Sequence, residues 1–260
     1  MTDMVATNPE KDRKFVAALS RGLSILAAFD KMSGPLGNQD IAKITGLPKP
    51  TVSRMTYTLS QLGYLEYSHR SEKYELGATN LTLGHAYTSN LRIRQIAKPH
   101  MIELAREFKV NIGLATRVDD EMIFVDYCRG DQLKSVIVDV GTRLPMSRSA
   151  IGRSYLASVS PDERAELIEA VKPLHGADWP AIEANLDKCL EDFEELGFTT
   201  SFGDWDRNIN TVAVPLKLSD NRIFCISCGG PNYVISTETL TNVIGPRLRH
   251  VSRDILNSGL

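Results

Sequence analysis

The 260-residue sequence lacks the features of a membrane, secreted or disulfide-stabilised protein. No run approaches the roughly 20 consecutive apolar residues that a bilayer-spanning helix needs. The N-terminal segment MTDMVATNPEKDRK contains no apolar signal-peptide core. The four cysteines are too few and too scattered to stabilise a chain that is long enough to build its own core. These absences predict a cytoplasmic protein with reduced thiols.

Sequence signatures of catalysis and of cofactor binding are also missing. The patterns GxSxG, GxGxxG, GxxxxGK[ST] and HExxH do not occur, and no two of the five histidines are four residues apart. Cys225 and Cys228 have CxxC spacing, but they lie on a predicted strand, where residues three apart face opposite sides. We therefore expect no enzyme activity, no metal site and no cofactor.

The charge of the chain is small and unevenly distributed. Its net charge is -2, which by itself argues against a nucleic-acid-binding protein. Residues 1–77, however, contain 10 Lys and Arg against 8 Asp and Glu, whereas the remainder contains 20 against 24. The N-terminal part is therefore the more basic.

The length and the hydrophobic content of the chain are sufficient for two hydrophobic cores, and they predict two domains.

Three short helices are predicted in the N-terminal part. Segment 15–32 is the first, because apolar residues recur there every three or four positions: Leu19, Leu23, Leu26 and Phe29. Asn38 is suited to cap the second helix, and Pro50 is suited to the first turn of the third. One face of the third helix is apolar, with Val52, Met55, Leu59 and Leu62. The opposite face is polar, with Ser53, Arg54, Tyr57 and Gln61.

A predicted hairpin follows the third helix. Gly63 ends the helix, and two short aromatic-rich strands then flank a polar tip, HRSEK, which spans residues 69–73. Three helices and a hairpin are typical of a winged helix-turn-helix that binds DNA. A module that docks other proteins can have the same pattern and stays an alternative.

The predicted secondary structure changes after the hairpin. Residues 78–108 are predicted to be mainly helical, and strands follow at VNIGLATRV, MIFVDYC and SVIVDV. Helices are then expected near 149–158, 161–172 and 181–196, strands at FTTSF, TVAVPLKL and RIFCISC, and a last helix near 237–256. This order predicts an α+β domain with an antiparallel sheet.

Several of these segments resemble the isocitrate-lyase-regulator (IclR) family of bacterial transcription factors. The resemblance is carried by LSRGL, DIAKITGLPKPTVSRMTYTLSQLGYL, YELG, LPMSRSAIGRSYLAS and VAVPLKLSDNRIFCISCGGP, and it extends over residues 19–256. It implies a tail at 1–14, a winged helix-turn-helix at 15–77, a linker helix at 78–92 that dimerises, and a GAF-like effector-binding domain at 93–260. It also implies a homodimer that pairs again into a dimer of dimers.

For DNA, the predicted contacts lie on the third helix and on the wing. They are Lys49, Pro50, Thr51, Ser53, Arg54, Tyr57, Arg70 and Lys73. Long or hydroxylated side chains can reach base edges and phosphates in the major groove. Ser53 and Pro50 depart from the residues that the family often has at these positions, so no operator sequence is inferred. An ion pair of Arg54 with Glu66 or Asp40 is the structural alternative.

For the effector, the resemblance implies a cavity beside the helix that begins after Pro145. Its predicted lining is Val136, Leu144, Arg148, Ala150, Ile151, Ser201, Ile209 and Thr211. Ser201 and Thr211 replace acidic or thiol groups of some relatives, which favours a different ligand. Arg148 could pair with a carboxylate, or it could point to solvent. The expected effector is a small organic acid, aliphatic or aromatic.

Two other functions are compatible with the sequence. The first is a redox-sensing regulator that uses Cys225 or Cys228, which would need an exposed thiol with a low pKa. The second is a small-molecule enzyme with a helical docking module, although it would need an active site that none of the motifs above marks. A regulator controlled by a ligand, acting as a repressor or an activator, is the favoured interpretation.

Overall fold

The computed structural model describes residues 14–30, 32, 34–130 and 138–259. The chain divides between Ser89 and Asn90 into two compact units, and each unit is described by itself. Within the described ranges, no helix is both long and apolar enough to cross a bilayer.

The first unit contains the elements of a winged helix-turn-helix. Its helices are α1 (Ala17–Ala27), α2 (Asn38–Thr45), α3 (Lys49–Gln61) and α4 (Thr79–Ser89). Its antiparallel hairpin is formed by β1 (Leu65–Ser68) and β2 (Lys73–Leu76). A small core holds α1, α2, α3 and β1 together, and it consists of Ile25, Ala28, Leu36, Ile41, Val52 and Leu65. The predicted winged-helix architecture is confirmed.

The apolar face predicted for α1 is partly wrong. Leu19 and Leu23 are exposed, whereas Ile25 and Ala28 are buried in the core. Segment 15–32 carries apolar residues on more than one face, and periodicity alone does not show which of them packs. On α3 the same limit applies, since Leu62 is exposed and Thr56 is fully buried.

The start of α2 also differs from the prediction. Gly37, and not Asn38, is the N-cap residue, and the Asp40 carboxylate accepts a hydrogen bond from the Gly37 N–H at 3.0 Å. Asn38 instead uses its side-chain oxygen to accept a hydrogen bond from the Thr56 hydroxyl at 3.2 Å. The two side chains thereby connect α2 to α3. Pro50 lies in the first turn of α3, as predicted.

The second unit is built on a six-stranded antiparallel sheet with the order β5-β4-β3-β8-β7-β6. The strands are β3 (Asn111–Val118), β4 (Glu121–Cys128), β5 (Arg143–Pro145), β6 (Thr199–Phe202), β7 (Ile209–Lys217) and β8 (Ile223–Pro231). The helices are α5 (Arg92–Phe108), α6 (Ala150–Ser158), α7 (Pro161–Val171), α8 (Trp179–Leu196), α9 (Thr237–Thr239) and α10 (Gly245–Asn257). The predicted α+β class with an antiparallel sheet is confirmed.

Each face of this sheet packs against its own helices. One hydrophobic core includes residues of α5 and α10, and the other includes residues of α6 and α8. Cys228 belongs to the first core and Cys225 to the second. The two thiols therefore lie on opposite faces of β8, as their spacing on a strand predicts.

Two predicted elements of this unit differ in detail. Of the strand predicted at SVIVDV, residues 135–137 lie outside the described part of the chain, and residues 138–140 are not in a strand. The edge strand is instead β5, which pairs with β4. The predicted last helix is interrupted by a π-helical turn, Leu240–Ile244, between α9 and α10.

Candidate DNA-binding surface and effector cavity

The outer face of α3 presents polar side chains to solvent. Ser53, Arg54 and Tyr57 are exposed on it, Lys49 and Pro50 are exposed at its start, and Thr51 is partly buried. Within the described ranges, no ion pair holds the Arg54 side chain, and the Asp40 carboxylate is bound to the Gly37 amide. A 13-residue helix with a free guanidinium, a phenol and hydroxyls on one face has the shape and chemistry to enter a major groove.

The hairpin carries the two remaining residues of the predicted DNA-contact set. Arg70 lies at the tip and Lys73 begins β2, and both are exposed. Tyr67 packs against the rings of His69 and Tyr74, with centroids 5.0 and 4.8 Å away, which stiffens the hairpin behind these cations. The structure thus places six of the predicted residues along α3 and two on the wing.

A cavity lies between the sheet and the start of α6 in the second unit. It encloses about 560 Å³ of empty space, counted together with its open mouth. Six residues of the predicted effector set line it: Leu144, Ala150, Ile151, Ser201, Ile209 and Thr211. Val136 lies outside the described residues. That these side chains bind an effector stays a prediction.

Arg148 is not among the lining residues of this cavity. Its Nε donates a hydrogen bond to the Asp204 carbonyl at 2.7 Å. The side chain borders a separate surface cavity together with Arg153 and Arg207. In this arrangement Arg148 does not contact a ligand in the cavity beside α6.

Aromatic side chains complete the cavity, and the sequence alone did not identify them. Phe124, Tyr127 and Trp205 line it. Phe124 and Tyr127 are three apart on β4, yet both reach the cavity, because the register with β3 shifts at Leu114/Ala115. A bulge of this kind re-aims the side chains of a strand.

Small residues make room for these rings. A Cβ on Gly113 would lie 2.1 Å from the Phe124 ring, so only glycine fits there without a shift of the ring. Asn111 and Gly113 lie two residues apart on β3, and Ser227 and Gly229 lie two residues apart on β8, so each pair is on one face of its strand and all four residues line the cavity. This period of two was the signal in the sequence that could have identified these lining residues.

The polar groups of the cavity are hydroxyls and amides. The Ser149 hydroxyl caps α6 by accepting a hydrogen bond from the Gly152 N–H at 3.1 Å. The Ser201 hydroxyl donates to the Arg148 carbonyl at 2.8 Å. Burial raises the pKa of Tyr127 to about 12, so its phenol stays protonated near neutral pH. Among the described lining residues none is acidic or basic, and an anion would rely on hydroxyls and on amides at the start of α6.

The cysteines do not have the environment of a redox sensor. Cys128, Cys189, Cys225 and Cys228 are all buried. Burial raises the pKa of Cys225 to about 12, and it raises the pKa of Cys228 further. A redox sensor needs an accessible thiolate, so the structure contradicts the prediction that Cys225 or Cys228 could serve as one.

Comparison with known protein families gives two matches that together span most of the chain. The model described as the IclR helix-turn-helix domain matches residues 18–69. The model described as the bacterial transcriptional regulator IclR C-terminal matches residues 85–257.

Two curated relatives are similar over most of their length. The HTH-type transcriptional regulator TsaQ1/TsaQ2 of Comamonas testosteroni is 31% identical over 249 residues, which cover 95% of this chain and 89% of the relative. The transcriptional repressor IclR of Escherichia coli is 27% identical over 244 residues, which cover 91% and 87%.

Solved structures show the same architecture. An IclR family transcriptional regulator from Brucella abortus is 40% identical, with a TM-score of 0.90 and coverage of 99% of this chain and 98% of that one. An IclR homolog from Microbacterium hydrocarbonoxydans, complexed with 4-hydroxybenzoate, is 24% identical, with a TM-score of 0.72 and coverage of 92% and 98%.

Proposed function

The chain belongs to the IclR family of bacterial transcriptional regulators, and from this premise we propose that it binds operator DNA under the control of a small organic acid. The observation that carries the proposal is the presence in one chain of an exposed polar α3 and of an uncharged cavity in the second unit. It acts as a regulator without a catalytic step, and we propose a cytoplasmic location because the chromosome is there.

At the DNA, α3 enters the major groove and the wing follows the backbone. Arg54 contacts a base or a phosphate, and Lys49, Thr51 and Ser53 contact bases or phosphates near the start of α3. Arg70 and Lys73 bind the flanking backbone. The exposure of Arg54 and the lack of an ion-pair partner within the described ranges support its role.

In the cavity, the carboxylate of the acid lies near the amides at the start of α6, and its body packs on the apolar and aromatic wall. The rings of Phe124, Tyr127 and Trp205 favour a flat, unsaturated ligand over a flexible chain. The Microbacterium homolog with 4-hydroxybenzoate supports the same class of ligand. Hydroxyls of Ser201 and Thr211 are suited to a neutral polar substituent on that ligand.

The regulator works as a homodimer. In the single chain, α1 exposes Leu19 and Leu23. Helix α4 has no buried residue, and its large apolar side chains Leu81, Leu83 and Tyr87 are all exposed. Apolar surface of this extent favours a protein partner, and a two-fold dimer would present two copies of α3 to a symmetric operator. Pairing of two dimers through the second unit completes the proposed assembly.

The test is a gel shift with the DNA upstream of the protein's own gene, at two salt concentrations and with a panel of aromatic and aliphatic acids that includes 4-hydroxybenzoate. We expect specific binding that weakens with salt and that at least one acid alters. Arg54→Ala should weaken specific binding by about 1–3 kcal/mol. Arg253→Ala, which removes an exposed arginine on α10, is the matched control and should not change the affinity.

Each arm of this experiment can contradict the proposal separately. Equal affinities of the Arg54→Ala and Arg253→Ala proteins would remove Arg54 from the DNA contact. Specific binding that no acid changes would contradict effector control. The absence of any specific shift would contradict DNA binding and favour a protein-docking module.

A further inference from the structure

The loop between β6 and β7, residues 203–208, contributes to two different cavities. Trp205 lines the effector cavity. Its neighbour Asp204 lines the surface cavity that Arg148 and Arg153 also border. The position of Trp205 in the wall of the effector cavity therefore depends on what holds Asp204 on the other side of the loop.

Three side chains hold Asp204. Arg153 Nη1 donates to Asp204 Oδ2 at 2.8 Å, and Asn185 Nδ2 donates to Asp204 Oδ1 at 3.2 Å. Arg148 Nε donates to the Asp204 carbonyl oxygen at 2.7 Å. Both carboxylate oxygens and the main-chain carbonyl are thus engaged, which restricts both the side chain and the backbone of this loop residue.

Arg153 is the most constrained of these partners. It lies on α6 with only 2% of its surface exposed, and it also donates to the Ser147 and Thr200 carbonyls, at 3.0 and 2.8 Å. Its Nη2 has no hydrogen-bond partner among the described residues. A buried guanidinium that is not fully satisfied contributes little net stability compared with a hydrophobic side chain. Its placement is better explained by the geometry that it imposes.

The same helix forms another part of the cavity wall. Ala150 and Ile151, in the first turn of α6, line the effector cavity. Arg153 lies two residues after Ile151 on the same helix. The Ser201 hydroxyl, which also lines the cavity, donates to the Arg148 carbonyl. Two walls of the cavity, the start of α6 and the β6–β7 loop, are therefore connected through Arg148, Arg153 and Asp204.

We propose that Arg153, assisted by Arg148 and Asn185, is a positioning residue that holds Asp204 and thereby fixes Trp205 in the wall of the effector cavity. The inference deepens the proposed function and rests on it, because it assigns part of the effector selectivity to residues that do not touch the effector. A prepositioned indole recognises a flat ligand without first ordering the loop, and this lowers the entropic cost of binding. Loss of the Asp204 contacts would make the wall mobile and the cavity less selective.

The experiment measures acrylamide quenching of Trp205 fluorescence in the full-length protein. Trp179 is the other tryptophan, so each protein is compared with its Trp205→Phe counterpart to isolate the Trp205 signal. In Asp204→Ala we expect the Stern–Volmer constant of Trp205 to rise about twofold or more, since the loop loses its anchors. Asp204→Asn keeps an acceptor oxygen and should lie between the wild type and Asp204→Ala.

Two controls separate this effect from general loosening. Asp206→Ala removes the other carboxylate of the loop, which accepts a hydrogen bond from the Asn208 N–H at 2.8 Å, and it should leave Trp205 quenching close to the wild-type value. Trp179 is buried, with 4% of its surface exposed, and its quenching in the Trp205→Phe background should not change in any variant.

Arg153→Lys, which keeps the positive charge but not the several N–H donors of the guanidinium, should raise Trp205 quenching as Asp204→Ala does.

Unchanged Trp205 quenching in Asp204→Ala would overturn the proposal, and so would an equal rise at Trp179 or in Asp206→Ala. If Asp204→Ala does not fold, the comparison of Asp204→Asn with the wild type decides. The readout needs neither operator nor effector. A negative gel shift would therefore leave this result standing, and a failure here would leave DNA binding and effector control to be judged on their own.

Discussion

Burial determines the chemistry of individual side chains in the second unit. Cys225 lies under α6 within the core that this helix shares with the sheet, and the loss of solvent raises the pKa of its thiol to about 12. Tyr127 is shifted to a similar pKa, again chiefly by burial. Such a group makes its full contribution to stability only at a pH where it is protonated in the unfolded chain as well as in the folded one.

The stability of the protein should therefore fall in alkaline solution. Above the ordinary thiol pKa of 9.0, Cys225 ionises in the unfolded chain but stays protonated in the folded one up to about pH 12. In this window each such group lowers the free energy of unfolding by about 1.4 kcal/mol per pH unit. We expect the stability difference between wild type and Cys225→Ala, from urea unfolding, to be constant at pH 6–8 and to shrink above pH 9. A difference that stays constant up to pH 10.5 would show that the thiol titrates normally.

At the scale of elements, one buried carboxylate joins α5 to the sheet. The side chain of Asp126 on β4 is 3% exposed and pairs with Arg94 at 3.0 Å and with Lys98 at 2.7 Å, both on α5. Burial acts to lower the pKa of Lys98, but the hydrogen bond to Asp126 and the attraction to nearby acidic groups outweigh it, and the pKa is raised. Asp126 lies between Phe124 and Tyr127, so the strand that lines the effector cavity also holds α5.

Replacing Asp126 with alanine should loosen this helix. The two cations are each about one-third exposed, so solvent recovers part of the lost interaction, and we expect a loss of about 1–3 kcal/mol of stability. Hydrogen exchange of the α5 amides should accelerate more than that of the β7 and β8 amides. Asp220→Ala, which breaks the exposed pair with Arg222, is the control and should change stability little. Equal losses in the two variants would show that burial of Asp126 adds nothing.

At the scale of the whole molecule, exposed apolar side chains favour the proposed assembly of more than one chain. Leucines on α1 and α4 face solvent, and Leu81 is 76% exposed. A helix without a buried face gains its stability from a partner. The proposed dimer supplies that partner for the exposed leucines of these helices.

Leu81→Glu should therefore weaken the dimer. A carboxylate placed in an apolar interface must be desolvated or must break the contact, so the molar mass from light scattering at micromolar concentration should shift towards that of the next smaller assembly. Specific DNA affinity should fall with it, because the two half-sites are no longer bound together. Leu174→Glu, at a leucine of the second unit that is 66% exposed, serves as the matched control. An unchanged mass for Leu81→Glu would place the interface elsewhere.

The sequence by itself determined the order and type of most elements and the family. Helical periodicity, proline and glycine positions and the alternation of strands act locally, so they can be read without the rest of the chain. The opposite orientation of Cys225 and Cys228 followed from the geometry of a strand, and the positions of Leu144, Ala150, Ile151, Ser201, Ile209 and Thr211 in one cavity followed from the resemblance. Local rules could not show which face of α1 packs, because several of its faces are apolar.

Only the tertiary structure decided the contacts between residues that are distant in sequence. The bulge opposite Leu114 and Ala115 brings Phe124 and Tyr127 to the same cavity, and no periodic pattern predicts an irregular register. Arg148 turns away from the cavity because Asp204, fifty-six residues later, accepts its hydrogen bond. Pairings of this kind depend on how the sheet and α6 are packed, and it is this packing that places the wall of the effector cavity.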